Sequence, residues 1–558
     1  MKPSQAYSVI AILVLAATLV MFAVSSSTAQ NMQYGDNQPQ SEDAKHMGMS
    51  ASAVSRGSFR ETHSGESPFP TPTPTDLRFV ADTGEGLDSG CKFRSEGSIK
   101  FTILVTRYVG PTDGDGKLED PEELVENGVV SKRADLMMPA YDVDYGVPPM
   151  PPLQPERDRI LFNGEPIGDL GAEAYLTGDN NVWRINKIPI PIELVRFARK
   201  TTTGNEPVPG INEIEILIDQ ANISAGRDVW CTAIDWAALE FKALAPIIMI
   251  HGNGENQSWW DTQHFTDQYK EDDIPYDNSI SLPEVSVAAN AGTLASEIPR
   301  VAREFGTKHV HLVCHSKGGL DSRAFLKILQ KSPPSLAVMS LTTLSTPHHG
   351  SALADYVRDA RGADWWNSDD RIRTKLFQYQ FLVGAYNDAR HDLTTSWVNQ
   401  DFNVTNLPLP RSFTVDGERT DVKYFSYGAD ANLDNSTELV FDPDEGLVFK
   451  PTISDNEVAG TKYGWIPGIG YGAQILYRTL WDVSWTYQDE DEQGHTVVRE
   501  MPNTTKQPND FLVTLTSSKL GQFVHQGDVK RNHATICDAA MGSEVLDLIR
   551  SINPVKMD

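Results

Sequence analysis

The stretch HLVCHSKGGLDSR (311–323) constrains the fold more than any other part of this sequence. Its first residues form a short apolar run typical of a buried strand, and its last residues have helical spacing. Ser316 lies between them, where a sharp turn lifts the side chain above the strand and points a helix N-terminus towards it. Two glycines follow the serine, and the compact Cys314 precedes it. The pattern predicts a nucleophile elbow with Ser316 at its tip.

Strands and helices alternate around this turn. Ile247–Ile250 is wholly apolar, as expected for a strand buried on both faces of a parallel sheet. Apolar spacing predicts a helix over 292–306, in which Pro299 should cause a kink or a restart. A further apolar strand is expected over 336–347. The order strand, helix, strand, helix, strand predicts an α/β fold over 244–558, with a mostly parallel sheet flanked by helices.

The chain before residue 244 has a different composition and hydrophobic pattern. An apolar run after Lys2 predicts a cleaved export signal over 1–29, with a retained membrane anchor as the alternative. The residues 30–78, which are rich in Ser, Gly and Pro, are expected to be a disordered linker. Alternating apolar and polar residues and a turn at Asn163-Gly164 predict an all-β sandwich domain over 79–243.

Four cysteines are present, and an even count in an exported protein is compatible with disulfides. Cys91 and Cys231 fall in the predicted β domain, so we expect these two to pair. Cys314 as a nucleophile would need exposure, but it lies at the buried end of its strand. His315 is a poor base for Ser316 because adjacent residues project apart in a tight turn.

A serine hydroxyl is a weak nucleophile, so Ser316 requires a base and an orienting acid. On such an elbow the acid and then the histidine follow the serine along the chain. His533 lies in a short loop before the last predicted helix, and Asp510 lies in a polar loop before an apolar run. Further candidates for the acid are Asp442 and Asp444, followed by Glu445 and Asp392, whereas Asp538 follows His533 too closely.

The oxyanion that forms during acyl transfer requires preorganised N–H donors. The backbone N–H of Lys317, directly after the nucleophile, is expected to be one donor. The N–H of Asn253, in the loop after the first strand of the α/β region, is expected to be the other, with Gly254 as the alternative. The side chain of Lys317 is expected to be solvated and incidental. His348 and His349 are expected to shape the pocket rather than bind metal.

Six ordered motifs resemble those of secreted bacterial lipases and esterases of the α/β-hydrolase superfamily: HGNGEN, CHSKGGLDSR, TLSTPHHGSALAD, DLTTSWVNQDFN, NDFLVTLTSSKL and NHATI. The resemblance covers Pro246 to Ile552 and implies an α/β-hydrolase fold, ester hydrolysis through an acyl-enzyme and no organic cofactor. The matching positions are Ser316, Asp510 and His533 for the triad, and Asn253 and Lys317 for the oxyanion hole.

The resemblance also bears on the rest of the chain. Lipases often carry a lid after the strand that ends at TPHHGS, which implies a lid insertion at about 351–390. The stretch 428–509 is longer than a simple loop and contains an aromatic-rich segment, so we expect a second cap insertion there. In the lipase calcium pattern an acidic residue directly follows the catalytic histidine region, but Ala534 and Thr535 follow His533 here. The resemblance therefore leaves the presence of a structural calcium ion open. Residues 79–243 are similar to jelly-roll accessory modules of secreted hydrolases, which often bind carbohydrates or surfaces. A structural spacer is the alternative for this region.

The net charge of −28 disfavours nucleic acid as a partner, because phosphate binding requires clustered Lys and Arg. The sequence predicts a secreted serine hydrolase, most simply a triacylglycerol lipase that acts on lipid or hydrophobic esters. Such an enzyme is expected to contact its substrate at a lipid–water interface. A depolymerase of polyhydroxyalkanoate-type polyesters and an acyltransferase are alternatives with the same triad. The non-enzymatic alternative is an inactive surface-binding protein.

Overall fold

The computed structural model describes residues 67–81, 90–146, 153–168, 173–201, 206–225, 228, 230–331, 335–355, 387–432, 436–442, 446–451, 477, 485–490, 496–501 and 507–555. The predicted export signal 1–29 and residues 30–66 of the predicted linker lie outside them. So do residues 356–386 and most of 452–506, on which much of the two predicted lid insertions falls. Among the described helices, none has the length and apolar character needed to cross a bilayer.

Ten strands precede the parallel sheet. They are β1 (Arg78–Ala81), β2 (Lys92–Phe93), β3 (Ile99–Val105), β4 (Arg133–Tyr141), β5 (Arg159–Phe162), β6 (Glu165–Pro166), β7 (Trp183–Pro191), β8 (Gly210–Leu217), β9 (Cys231–Ile234) and β10 (Ala237–Glu240). One antiparallel sheet has the order β1-β10-β4-β9-β2, with β7 paired to β4, and a second has the order β3-β8-β5-β6. The assignment of this region as a sandwich accessory domain stays a prediction.

Side-chain alternation explains how these sheets form a core. In β3 every second residue is buried, and the residues between them are exposed. Ile103 of β3, Leu136 of β4 and Ile214 of β8 belong to one apolar cluster, so both sheets turn a face towards the same core. The predicted disulfide between Cys91 and Cys231 is confirmed, and it links residues 140 positions apart.

The second part of the chain contains the predicted parallel sheet. Its strands and hairpins are β11 (Ile247–Ile250), β12 (Tyr276–Asp277), β13 (His309–His315), β14 (Ala337–Leu344), β15 (Ser412–Val415), β16 (Glu418–Asp421), β17 (Lys423–Ala429), β18 (Thr437–Asp442), β19 (Gly446–Pro451), β20 (Trp485–Glu490), β21 (Thr496–Met501) and β22 (Val524–Val529). The sheet order is β12-β11-β13-β14-β17-β22, and every pair in it is parallel. Three further pairs, β15-β16, β18-β19 and β20-β21, form separate antiparallel hairpins. Because the carboxyl ends of the parallel strands meet at one edge, groups that follow those strands can come together there.

The described α-helices are α1 (Pro121–Glu126), α2 (Trp259–Thr262), α3 (Asp267–Glu271), α4 (Val287–Glu304), α5 (Lys317–Lys331), α6 (Asp388–His391), α7 (Thr395–Trp397), α8 (Asn403–Asn406) and α9 (Ala539–Ile552). Short 3-10 turns lie at Arg94–Glu96, Ile192–Leu194, Gln220–Ala225 and Thr535–Cys537, and a π-turn lies at Val398–Phe402. The Ser286 side chain caps α4 by accepting from the N–H of Ala289. The expected restart at Pro299 is wrong: α4 continues through this residue to Glu304. The buried apolar face of α4 packs on the sheet on both sides of the proline and holds the helix together.

The two parts of the chain pack against each other. The described residues lie in one compact unit, and one apolar cluster contains Ile103 and Leu136 together with Met249 and Val313 of the parallel sheet. The buried Arg107 donates from Nη2 to the carbonyl of Leu244 at 2.7 Å. The predicted boundary between residues 243 and 244 therefore falls within continuous packing.

Candidate active site

Ser316 occupies the predicted turn between β13 and α5. Its φ is +50°, in the left-handed region, and its N–H donates to the carbonyl of Leu344 on the neighbouring strand at 3.0 Å. A Cβ added to Gly252 would lie 2.7 Å from the Cβ of Ser316, and one added to Gly318 would lie 2.5 Å from a backbone oxygen. These contacts explain why glycine occupies both positions: the backbone passes too close for a side chain.

The structure brings together the three residues predicted for the triad. The Oγ of Ser316 lies 2.8 Å from Nε2 of His533, and Nδ1 of His533 lies 2.8 Å from Oδ2 of Asp510. The other carboxylate oxygen of Asp510 accepts from the N–H groups of Leu512 at 3.0 Å and Val513 at 2.8 Å. With Nδ1 donating to the carboxylate, Nε2 of His533 is free to accept the serine proton.

The backbone also fixes the histidine. The N–H of His533 donates to the carbonyl of Asp510 at 3.0 Å, so the two residues are linked through main chain and side chains. Burial alone would lower the pKa of His533, but the charge and hydrogen bond of Asp510 outweigh it and raise the pKa. A raised pKa makes the imidazole a better proton acceptor for Ser316.

The other acidic candidates have different partners or lie outside the described residues. Asp392 accepts from the N–H of Val287 at 2.8 Å, at the start of α4. Asp538 caps α9 and forms an ion pair with Arg531 at 2.6 Å. Asp442 ends β18, but its side chain, Asp444 and Glu445 lie outside the described residues.

The two predicted oxyanion donors belong to segments that adjoin the nucleophile. Lys317 is the first residue of α5, where a backbone N–H has no carbonyl partner within the helix. The N–H of Gly252 already donates to Oε2 of Glu255 at 2.6 Å, so Asn253 and Gly254 stay the candidates for the second donor. The close approach of Gly252 to Ser316 places this loop against the nucleophile. The arrangement is compatible with the predicted pair.

The expectation that the Lys317 side chain is solvated is wrong. This side chain is 1% exposed, and its Nζ donates to Oδ1 of Asp321 at 2.7 Å. The other carboxylate oxygen of Asp321 accepts from Asn290 on α4 at 3.0 Å. Asp321 therefore joins α4 to the buried Lys317.

The two neighbours rejected as nucleophile and base have structural partners. Cys314 is fully buried, its Sγ lies 3.1 Å from Oγ of Ser322, and burial raises the pKa of the thiol to about 12. The ring of His315 contacts Glu255 and the carbonyl of His533. The pairing of Glu255 with His315 was missed from the sequence, because neither residue has a motif that specifies its partner.

Within the described residues, the one compact group of metal-ligating atoms is Cys91, Asp142 and Cys231, and both sulfurs are already in the disulfide. His348 and His349 are fully buried and hydrogen-bonded to protein groups, His348 to Arg323 at 3.2 Å among them. Both histidines therefore have structural partners in the interior.

The parallel sheet, with a serine elbow between its third strand in the chain and the following helix, defines an α/β-hydrolase fold. Comparison with known proteins agrees with this class. Residues 246–403 match the palmitoyl protein thioesterase family. Triacylglycerol lipase 2 of Saccharomyces cerevisiae is 30% identical over 149 residues, which make up 26% of this chain and 37% of that protein.

Other similarities are shorter or more distant. A triacylglycerol lipase of Pseudarthrobacter phenanthrenivorans is 39% identical over 71 residues, 13% of this chain and 21% of that protein. The chain therefore spans well under half the length of these curated relatives. Among solved structures, mature Bacillus licheniformis lipase BlEst2 is 21% identical with a TM-score of 0.36, over 55% of this chain and 92% of that one.

Proposed function

We propose that this protein is a serine hydrolase of carboxylic esters, with Ser316 as nucleophile, His533 as base and Asp510 as the orienting acid. The observation that carries the proposal is the continuous line of contacts from Oγ of Ser316 through the imidazole to a carboxylate, both at 2.8 Å. In this arrangement a proton can leave the hydroxyl as the hydroxyl attacks.

The reaction has two halves. Ser316 attacks the ester carbonyl carbon, His533 takes the serine proton, and the N–H groups of Lys317 and Asn253 stabilise the negative oxygen. His533 then protonates the departing alcohol, which leaves an acyl group on Ser316. In the second half His533 takes a proton from water, the resulting nucleophile attacks the acyl carbon, and Ser316 departs with the proton returned by His533.

The proposed substrates are esters of hydrophobic acyl chains, with triacylglycerols first. The triacylglycerol lipases that share 30% and 39% identity with parts of this chain support this choice. Long-chain acyl thioesters are the second candidate, because residues 246–403 match the palmitoyl protein thioesterase family. The same triad would attack either carbonyl. A panel of nitrophenyl esters of graded length, emulsified triacylglycerol and a palmitoyl thioester separates these substrates.

The decisive experiment combines turnover with a fluorophosphonate label, which reacts only with an activated serine. Ser316→Ala should abolish labelling and reduce turnover by about four or more orders of magnitude while the fold persists. Ser322→Ala, a buried serine one to two turns further along α5, is the matched control and should label normally. An active Ser316→Ala variant would refute the proposal, and an unlabelled wild type would favour the inactive surface-binding alternative.

The remaining alternatives need other assays. Clearing of a polyhydroxyalkanoate film would favour a polyester depolymerase, and ester formation with an added alcohol would favour an acyltransferase. We also propose that the protein is exported, since a disulfide is typical of oxidising compartments. N-terminal sequencing of protein recovered outside the cells tests this proposal, and a mature chain that still begins at Met1 would contradict cleavage within 1–29.

A further inference from the structure

One buried histidine next to the nucleophile faces a hydrogen-bond acceptor on each ring nitrogen. Nδ1 of His315 lies 2.9 Å from Oε1 and 3.0 Å from Oε2 of Glu255. Nε2 lies 2.8 Å from the backbone carbonyl oxygen of His533. A neutral imidazole has one N–H and can satisfy only one of these contacts, whereas an imidazolium donates to both.

The partner of His315 is suited to balance a positive charge. The Glu255 side chain is 11% exposed, and Oε2 also accepts from the N–H of Gly252 at 2.6 Å. Burial acts to raise the pKa of Glu255, but the charge and hydrogen bond of His315 outweigh it and lower the pKa. The ring of Trp259 stacks on His315 with centroids 5.9 Å apart, a contact that also favours a cation.

These contacts join three segments that the reaction needs. Glu255 fixes the loop of Gly252 and Asn253, His315 directly precedes Ser316, and the Nε2 contact fixes the main chain of His533. We propose that Glu255 and His315 are positioning residues that form a buried ion pair, in which a doubly protonated His315 holds the oxyanion loop and the histidine loop in register with the nucleophile. This inference rests on the proposed function, because the two residues would affect catalysis only by positioning Ser316 and His533.

Each contact of the His315 ring secures one of the two loops, so loss of either contact should reduce turnover by displacing the oxyanion donor or the base. The other titratable or charged groups around the pair are His533 with Asp510 behind it, His251, Lys317 and Cys537. Replacing the Glu255 carboxylate with an amide removes the counter-charge of His315 and weakens the contact that holds the oxyanion loop, which should slow turnover rather than weaken substrate binding.

The test measures kcat and KM separately on a soluble nitrophenyl ester. Glu255→Gln should reduce kcat by about tenfold or more with little change in KM, because the oxyanion donors act in the transition state. Glu255→Asp keeps the charge and should retain most of the native kcat. Glu271→Gln, the same change at an exposed position of α3, is the control and should leave both constants unchanged. A native kcat in Glu255→Gln would overturn the inference.

A second measurement does not depend on activity or on a folded Glu255 variant. In ¹⁵N-histidine-labelled wild type, the His315 ring, assigned by its absence in His315→Gln, should show two protonated nitrogens under the conditions of the activity assay. A singly protonated ring would refute the ion pair. Ser316→Ala separates the two proposals. An active Ser316→Ala variant refutes the hydrolase, whereas an inactive one combined with a native kcat in Glu255→Gln refutes only the ion pair.

Discussion

The substitution Asp510→Asn tests how the acid controls the catalytic histidine. In the native site, one carboxylate oxygen accepts from the N–H groups of Leu512 and Val513, and the other accepts from Nδ1 of His533. An asparagine must keep its single oxygen on the two backbone donors, so its NH₂ group faces the histidine. Nδ1 must then act as acceptor, and the ring proton moves to Nε2.

That tautomer cannot accept the proton of Ser316. We therefore expect Asp510→Asn to reduce kcat by about 10⁴-fold, or about 5.4 kcal/mol, with little change in the fold. The pKa of His533 should also fall, because the charge of Asp510 raises it in the native site, and the acidic limb of the pH profile should move to lower pH.

The assay is steady-state turnover of a soluble nitrophenyl ester across the pH range. Asp392→Asn is the matched control, since Asp392 also accepts a backbone N–H but has no contact with His533, and it should retain turnover. If Asp510→Asn kept more than about a tenth of the native kcat, a different residue would have to be the acid. The acidic segment at 442–445 would then be the next to test.

Three further outcomes are expected. Deleting residues 79–243 should abolish soluble expression and ester turnover, because the β region shares its core with the parallel sheet; an active, folded truncation would show that the region only targets the enzyme. Gly252→Ala should reduce kcat/KM by about tenfold or more, since the new Cβ would meet Ser316 at 2.7 Å, and normal kinetics would contradict the close approach. Thiol reagents should leave turnover intact under native conditions, because Cys314 is buried and its pKa is raised to about 12; rapid inactivation through Cys314 would refute its burial.

The parallel sheet and the triad candidates were predictable because their signals are local. Ile247–Ile250 is apolar at every position, and a serine followed by two glycines specifies a strand–turn–helix. Asp510 and His533 each lie in a loop at a position that the order of serine, acid and histidine specifies. The pairing of Cys91 with Cys231 depended only on both lying in one region.

Other features depend on packing that no local pattern encodes. The sequence predicts a solvated side chain for a lysine that follows the nucleophile. In the structure Lys317 is a buried partner of Asp321, which also accepts from Asn290 of α4. The proline rule predicts a kink or a restart at Pro299, but the helix continues through it because the same helix face is buried on both sides. Glu255 and His315 are 60 positions apart, so their pairing appears only once the elbow and the first loop meet.

The backbone of Ser316 restricts which nucleophiles this elbow could ever carry. At φ +50° a β-branched side chain is a steric outlier, whereas an unbranched one fits. The backbone conformation therefore disfavours threonine at this position, although threonine carries the same hydroxyl. It accepts cysteine, so a change of Ser316 to cysteine, by evolution or engineering, would give a thiol enzyme with the same histidine and acid.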